Sequence, residues 1–201
     1  MDKYSCFLEL QQNEIEGEDF AIVYRKIRSR VAIMAPHGGG IEPGTLDIAD
    51  AVAGSDHQFY AFKGLKQSGN AILHISSNLF DEPIALEISQ NAFIVISIHG
   101  CREENKRVFV GGKNQDLRLE ILSSLKDRGF KAFISDKPGQ RGINPTNICN
   151  RCLSGEGVQI EISRGLREKM FNNLQQRSQR EKTLLFHTLV DSIKSVVDKR
   201  A

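Results

Sequence analysis

Several things are missing from this chain of 201 residues, and each absence removes a class of function. No apolar run approaches the roughly 20 residues needed to cross a membrane. The opening stretch "MDKYSCFLEL" has no basic segment leading into an apolar one, the pattern that directs secretion. The chain is therefore expected to be made as a soluble, cytoplasmic protein, with lysis as a route to action outside the cell. Charge of one sign is lacking too: 27 Lys and Arg stand against 25 Asp and Glu, so no global field draws the protein to nucleic acid. Neither nucleic acid nor membrane is an expected partner, and any recognition of anions has to be local. Cysteine is limited to Cys6, Cys101, Cys149 and Cys152. A leaderless chain long enough to build a core needs no disulfide staples, so free thiols are expected. "CNRC" at 149–152 has CxxC spacing, but a second CxxC to complete a zinc knuckle is absent.

Repeats, linkers and low-complexity segments are absent as well, which leaves a single domain expected over residues 1–201. Apolar runs rich in β-branched residues alternate with amphipathic stretches, the pattern of an α/β domain. The expected architecture is a three-layer α/β/α sandwich around a mixed, largely parallel sheet. Strands are predicted at 20–25, 31–35, 58–63, 71–75, 93–99, 107–111, 132–135 and 158–162. Helices are predicted at 44–54, 83–90, 115–127 and 180–199. The segment 136–156, "DKPGQRGINPTNICNRCLSGE", has no periodicity, and loops of this length in compact domains tend to carry function.

The chemistry concentrates in "VAIMAPHGGGIEPGTLDIAD", residues 31–50, where an apolar run meets a histidine, three glycines and a glutamate. An HGGG loop suits the oxyanion site of a serine hydrolase, but the GxSxG nucleophile elbow that such an enzyme needs is missing; "EISRG" is the nearest approach. Cys101 follows His99 by two residues but has no evident orienting partner. A catalytic metal needs three protein ligands and one open position. His37 and His99 each end an apolar strand and precede glycine, and Glu42 lies five residues beyond His37. His57 and His74 lack this setting, and His74 reads as a core residue or one that supports a ligand. Glu161, in "GVQIEIS", is a carboxylate within an apolar strand, costly unless paired or catalytic. Alternation sets Gln159, Glu161 and Ser163 on the face opposite Val158, Ile160 and Ile162, where Glu161 faces either a polar cleft or, on an edge strand, solvent.

Taken in order, "PHGGGIEPGT", "SIHG" and "NPTNICNRCLSGEGVQIEISRGLR" closely resemble the poly-γ-glutamate hydrolases of bacilli and their phages, over nearly the whole chain. That family is similar to a compact zinc carboxypeptidase. The resemblance implies one zinc ion per chain bound by His37, Glu42 and His99, with Glu161 as the catalytic carboxylate. It also implies a substrate, the polyanionic γ-linked glutamate polymer of capsules and biofilms. The reaction expected is hydrolysis of a γ-glutamyl amide within the chain by a monomer, with Glu161 as general base and then acid and Arg102 as a candidate oxyanion cation. Arg141, Arg151, Arg164 and Arg167, with Asn150, are candidates for binding substrate carboxylates, because guanidinium groups pair with them in bidentate fashion. Two features depart from carboxypeptidases. Their first ligands are spaced HxxE, whereas four residues separate His37 from Glu42; and their substrate-binding Asn and Arg precede the last histidine ligand, whereas "CNR" follows it. Another amide, such as a cell-wall peptide or an N-acyl amino acid, is the rival substrate. A purely structural zinc site would need a fourth ligand.

Overall fold

Nine consecutive buried residues from Val31 to Gly39 mark a strand covered on both faces, as expected at the centre of a layered α/β protein. The computed structural model describes residues 2–200. In chain order the elements are α1 (Phe7–Asn13), β1 (Phe20–Arg25), β2 (Val31–Gly39), α2 (Thr45–Ala53), β3 (Gln58–Gly64), α3 (Pro83–Asn91), β4 (Ile94–Cys101), β5 (Val108–Gly112), α4 (Gln115–Asp127), β6 (Ala132–Ile134), β7 (Val158–Ser163), α5 (Arg164–Met170), β8 (Phe171–Asn172), β9 (Glu181–Lys182) and α6 (Leu184–Val197). The main sheet runs β1-β3-β2-β4-β7-β5-β6. Its four central strands are parallel, β1 and β5 join antiparallel, and β6 follows β5 in parallel. The expected mixed, largely parallel sheet is the one observed.

Side-chain alternation divides the core into two layers. Val31, Ile33, Ile96, Ile98, Val158, Ile160 and Ile162 pack beneath α2, α4, α5 and α6. Ala32, Met34 and Val95 face α1, α3 and the buried segment around Ile148 and Cys149. Burial of these apolar faces, at about 25 cal/mol per Å² removed from water, holds the sheet between its helices. Local signals fix the helix starts: Glu82 accepts from the backbone N–H groups of Ile84 and Ala85 ahead of Pro83, and Asn114 caps α4 through Leu117. No helix among the described residues is long and apolar enough to cross a membrane.

Several predicted elements need correction. Residues 71–75 form no strand: Asn70–Leu73 is a 3-10 turn, and its apolar residues are buried because the turn lies on the sheet, with Leu73 and Ile75 in the core. The last helix begins at Leu184, because Glu181–Lys182 pairs with Phe171–Asn172 instead. β7 lies between β4 and β5, which removes the reading of Glu161 on a solvated edge. β2 continues four residues beyond the predicted Ala35 end, through His37 to Gly39.

Candidate metal centre

Simple alternation along β2 would send residue 37 into the apolar layer beneath α2, with Val31, Ile33 and Ala35. The strand avoids this by carrying one residue more than its neighbour. Ala35 pairs with Ala61 and Gly38 with Lys63, three steps on β2 against two on β3. Pro36 sits in the irregularity. It has no N–H for a central ladder and is tolerated inside a sheet at such bulges. A one-residue slip reverses every side chain beyond it, so His37 emerges on the opposite face, bonded to the Ile75 carbonyl and edge-on to Phe80. The backbone then doubles back through Gly39, which has φ of 66° and where a Cβ would lie 2.4 Å from the Gly64 carbonyl oxygen; only glycine fits. The Glu42 N–H donates to the His37 carbonyl at 2.9 Å, returning the carboxylate to the imidazole. On the adjoining strands His99 and Glu161 are direct register partners. All these residues lie at the carboxyl ends of parallel strands, where open α/β sheets place their ligands.

His37 Nδ1 lies 3.1 Å from His99 Nδ1 and 3.3 Å from Glu42 Oε1, and His99 Nδ1 lies 3.8 Å from Glu42 Oε2. Donors about 2 Å from a tetrahedral zinc ion stand roughly 3.3 Å apart, so the two imidazole nitrogens and the Glu42 carboxylate are spaced to fit one ion. Two imidazole nitrogens and a carboxylate oxygen form a zinc-type set with a fourth position left for chemistry. The outward nitrogens are already engaged, His37 Nε2 with the Ile75 carbonyl at 2.8 Å and His99 Nε2 with Ser77 Oγ at 3.4 Å, so each ring is turned with Nδ1 inward. Both partners come from one short loop. Asp2 holds that loop, accepting from the Ser76 N–H at 2.8 Å and pairing with His74 Nδ1 at 2.8 Å, while the His74 ring stacks on His37 with centroids 3.9 Å apart. Neither Asp2 nor Ser77 is singled out by the sequence, because a lone Asp or Ser outside any motif carries no signal of its own.

The electrostatics of the cluster follow from its burial and its charges. Burial, then the neighbouring His37, pushes His99 down to about 3, so its imidazole is a neutral donor at any working pH. Burial opposes the charge of Glu42, but His37, His99 and the Gly100 N–H, the last at 2.7 Å, outweigh it and hold the carboxyl down at about 2. Burial lowers His37, yet the Glu42 carboxylate and the Ile75 carbonyl together raise it. Glu161 stands apart. Burial, and then the charge of Glu42, pushes it up to about 8, the behaviour of a carboxyl that exchanges protons near neutrality.

The centre opens into a cleft of about 680 Å³ whose lining includes Glu42, His74, Gly100, Arg102, Arg164 and Arg167. The sequence candidates divide here. Arg102 and Arg164 reach the cleft as exposed cations, Arg164 also pairing with Glu168 at 2.7 Å. Arg167 is buried, its guanidinium bonded to the carbonyls of Ile162, Pro43 and Cys101 at 3.1, 2.7 and 3.1 Å. Arg141 is exposed and Arg151 is bonded to the Thr146 and Asn78 carbonyls; neither lines the cleft. Asn150 is a correction: its amide donates to the carbonyls of Gly142 and Asn144 and accepts from the Gly157 N–H, so the side chain is spent on the loop. The four cysteines are free, and burial pushes the Cys149 thiol up to about 12, which makes it inert. Arg167 also explains Gly100, where a Cβ would sit 2.6 Å from the guanidinium carbon. Gly100→Ala is expected to drive Arg167 off its carbonyls and cost about 1–3 kcal/mol; a denaturant midpoint equal to the parent's would contradict this packing.

A family model described as poly-γ-glutamate hydrolase matches residues 4–192. Among solved structures, a bacteriophage poly-γ-glutamate hydrolase superposes with a TM-score of 0.95 at 33% identity, covering 99% of this chain and 98% of that one. A structure of YndL described as apo and zinc-free superposes with a TM-score of 0.93 at 34% identity, covering 98% of each chain. YndL of Bacillus subtilis strain 168 is 40% identical over 172 residues, 85% of this chain and 67% of its own length. The SPbeta prophage-derived YoqZ of the same organism is 41% identical over 85% of this chain, which spans 62% of that relative.

Proposed function

This chain belongs to the poly-γ-glutamate hydrolase family, and from that membership we propose that it cleaves γ-glutamyl amide bonds within poly-γ-glutamate as a monomeric, single-domain enzyme that uses one zinc ion. The observation carrying this reading is the convergence of His37, Glu42 and His99, with donor atoms all within 4.8 Å of one another, beside a buried glutamate and beneath a cleft flanked by arginines. His37, Glu42 and His99 would hold the zinc ion, which would supply a Lewis acid and a bound water of pKa roughly 7. Glu161 takes the proton of the attacking water as general base and returns it to the leaving nitrogen as general acid.

The polymer brings one carboxylate per residue. Arg102 and Arg164, which line the cleft, meet these charges in this reading, and Arg102 also opposes the negative charge that develops at the carbonyl oxygen. Arg167 acts from beneath, fixing the Pro43 and Cys101 backbone on either side of the site while its charge steadies Glu42 and Glu161. In a γ-linked chain the carboxylates branch beside the amide nitrogen, and successive carbonyls are farther apart along the backbone than in an α-linked chain. Guanidinium groups set to this spacing pair poorly with the α-linked isomer, whose carboxylates and scissile carbonyl cannot reach Arg102, Arg164 and the centre together. Incubation with γ- and α-linked polyglutamate of equal length is therefore expected to shorten only the γ-polymer, with mean size falling before free glutamate accumulates. Comparable rates on both polymers would overturn the substrate, and release of glutamate alone from the outset would overturn internal cleavage. Preference for a cell-wall peptide would keep the centre and change the substrate.

A further inference from the structure

Glu161 is held by one hydrogen bond from a neighbour on its own strand, Gln159 Nε2 donating to Glu161 Oε1 at 2.9 Å. The oxygen of the same Gln159 amide accepts from Asn147 Nδ2 at 2.9 Å. Asn147 Oδ1 in turn accepts from the Cys149 backbone N–H at 3.1 Å, the cap of the 3-10 turn Ile148–Asn150. All three side chains are buried. A backbone N–H can only donate, so its bond fixes which end of the Asn147 amide is oxygen. That end dictates the orientation of Gln159, and Gln159 then has only its NH₂ to offer Glu161. The chain therefore runs one way, from the peptide of Cys149 to Glu161 Oε1, and it crosses from the long loop to the catalytic strand. Gly142, from the same loop, closes over it: a Cβ there would lie 2.8 Å from Gln159 Cβ.

We propose that Asn147 and Gln159 are positioning residues for Glu161, holding Oε1 permanently as an acceptor so that Oε2 alone takes and returns the proton. The proposal rests on the reading of Glu161 as the general base. It gives segment 136–156 a part in catalysis through Asn147 and the Cys149 peptide, independent of the CNRC thiols and of the arginines. Asn147→Asp is the direct test. The carboxylate introduced by this substitution keeps the cap on Cys149 but offers Gln159 an acceptor, so the Gln159 amide turns over and presents its oxygen to Glu161. A loss of about 10- to 100-fold in kcat is expected, the scale on which small misplacements of catalytic groups are felt, with KM and bound zinc close to the parent's. Gln159→Met, which removes the donor at similar volume, is expected to lose kcat in the same way and serves if the first variant folds poorly.

A double-mutant cycle separates positioning from general structural support. In a Glu161→Gln background the residual rate is expected to be insensitive to Asn147→Asp, because the amide at 161 can turn to match either partner. An equal fold-loss in both backgrounds, or a change confined to KM, would overturn the positioning role. Full activity of Glu161→Gln by itself would instead overturn the general-base reading, a failure distinguishable from that of the amide chain.

Discussion

Glu161→Gln is expected to fold, to bind zinc as the parent does, and to lose at least about two orders of magnitude in kcat, the usual contribution of a positioned general acid or base. The substitution preserves shape, and the amide still accepts from Gln159, so nothing but proton exchange is removed. Loss of bound zinc in the variant would make Glu161 a ligand, and retained activity would remove it from the chemistry. The pH dependence has a defined sign. The base works deprotonated, so kcat/KM rises with pH through the pKa of Glu161, which burial and Glu42 hold at about 8 in the zinc-free site; a bound cation draws that limb lower. Linkage gives a second readout. A carboxyl whose folded pKa lies above its ordinary 4.5 keeps its proton in the native state while the unfolded chain releases it, so zinc-free protein loses stability as pH rises from about 4.5 towards about 8. Zinc-free Glu161→Gln lacks this loss, and its advantage in denaturant midpoint over zinc-free parent should grow between pH 5 and pH 8.

Removing the metal is expected to abolish hydrolysis while leaving the fold in place, and zinc is expected to restore it. His37, Glu42 and His99 stand on and beside buried central strands packed on both sides, so this scaffold does not depend on an ion, unlike small domains that fold only around their metal. His99→Ala should lower both bound zinc and rate to background, with an unchanged far-ultraviolet circular dichroism spectrum. Stripping should also depend on pH. Glu42 raises His37, and the protonated ring must give up Nδ1–H before it can ligate, so zinc is held more tightly as pH rises and a chelator removes it faster at pH 5.5 than at pH 8. Full activity in rigorously metal-free protein would end the zinc reading, and unfolding on chelation would contradict the independence of the scaffold.

The sheet and the reactive groups are legible in the sequence because they obey strong local rules. β1 matches its predicted bounds, as does α4, where the spacing of Leu117, Ile121 and Leu125 is helical and Asn114 caps. The misreadings have physical causes. "AILHI" is apolar because it covers the sheet, and burial alone does not distinguish a strand from a turn that lies on one. α5 escapes prediction because "RGLREKM" has little apolar periodicity; its start is set by Ser163 accepting from the Leu166 N–H. At the site, His37, Glu42, His99 and Glu161 stand out as costly residues in apolar or glycine-rich settings. The groups that aim them do not. Ser77, the Ile75 carbonyl, Asn147 and Gln159 act through hydrogen bonds whose geometry only the folded chain supplies. Arg167 is legible as a cation near the site, but its bonds to three carbonyls follow from a fold that the sequence pattern does not specify.

The extra residue in β2 constrains how this segment can change. On either side of Pro36 the strand keeps a regular pleat, but the two halves are out of step, so each position beyond the bulge owes its facing to a count of residues as well as to its own chemistry. Replacing one apolar residue by another upstream alters packing by degrees. Deleting a single residue between Ala35 and Gly38 would bring the halves into step and send the imidazole through the plane of the sheet, into the apolar layer beneath α2, on the face opposite His99 and Glu161. Descent in this family can therefore vary the letters of the strand far more freely than its length, and gaps in related sequences should fall in the surrounding loops and spare these few positions.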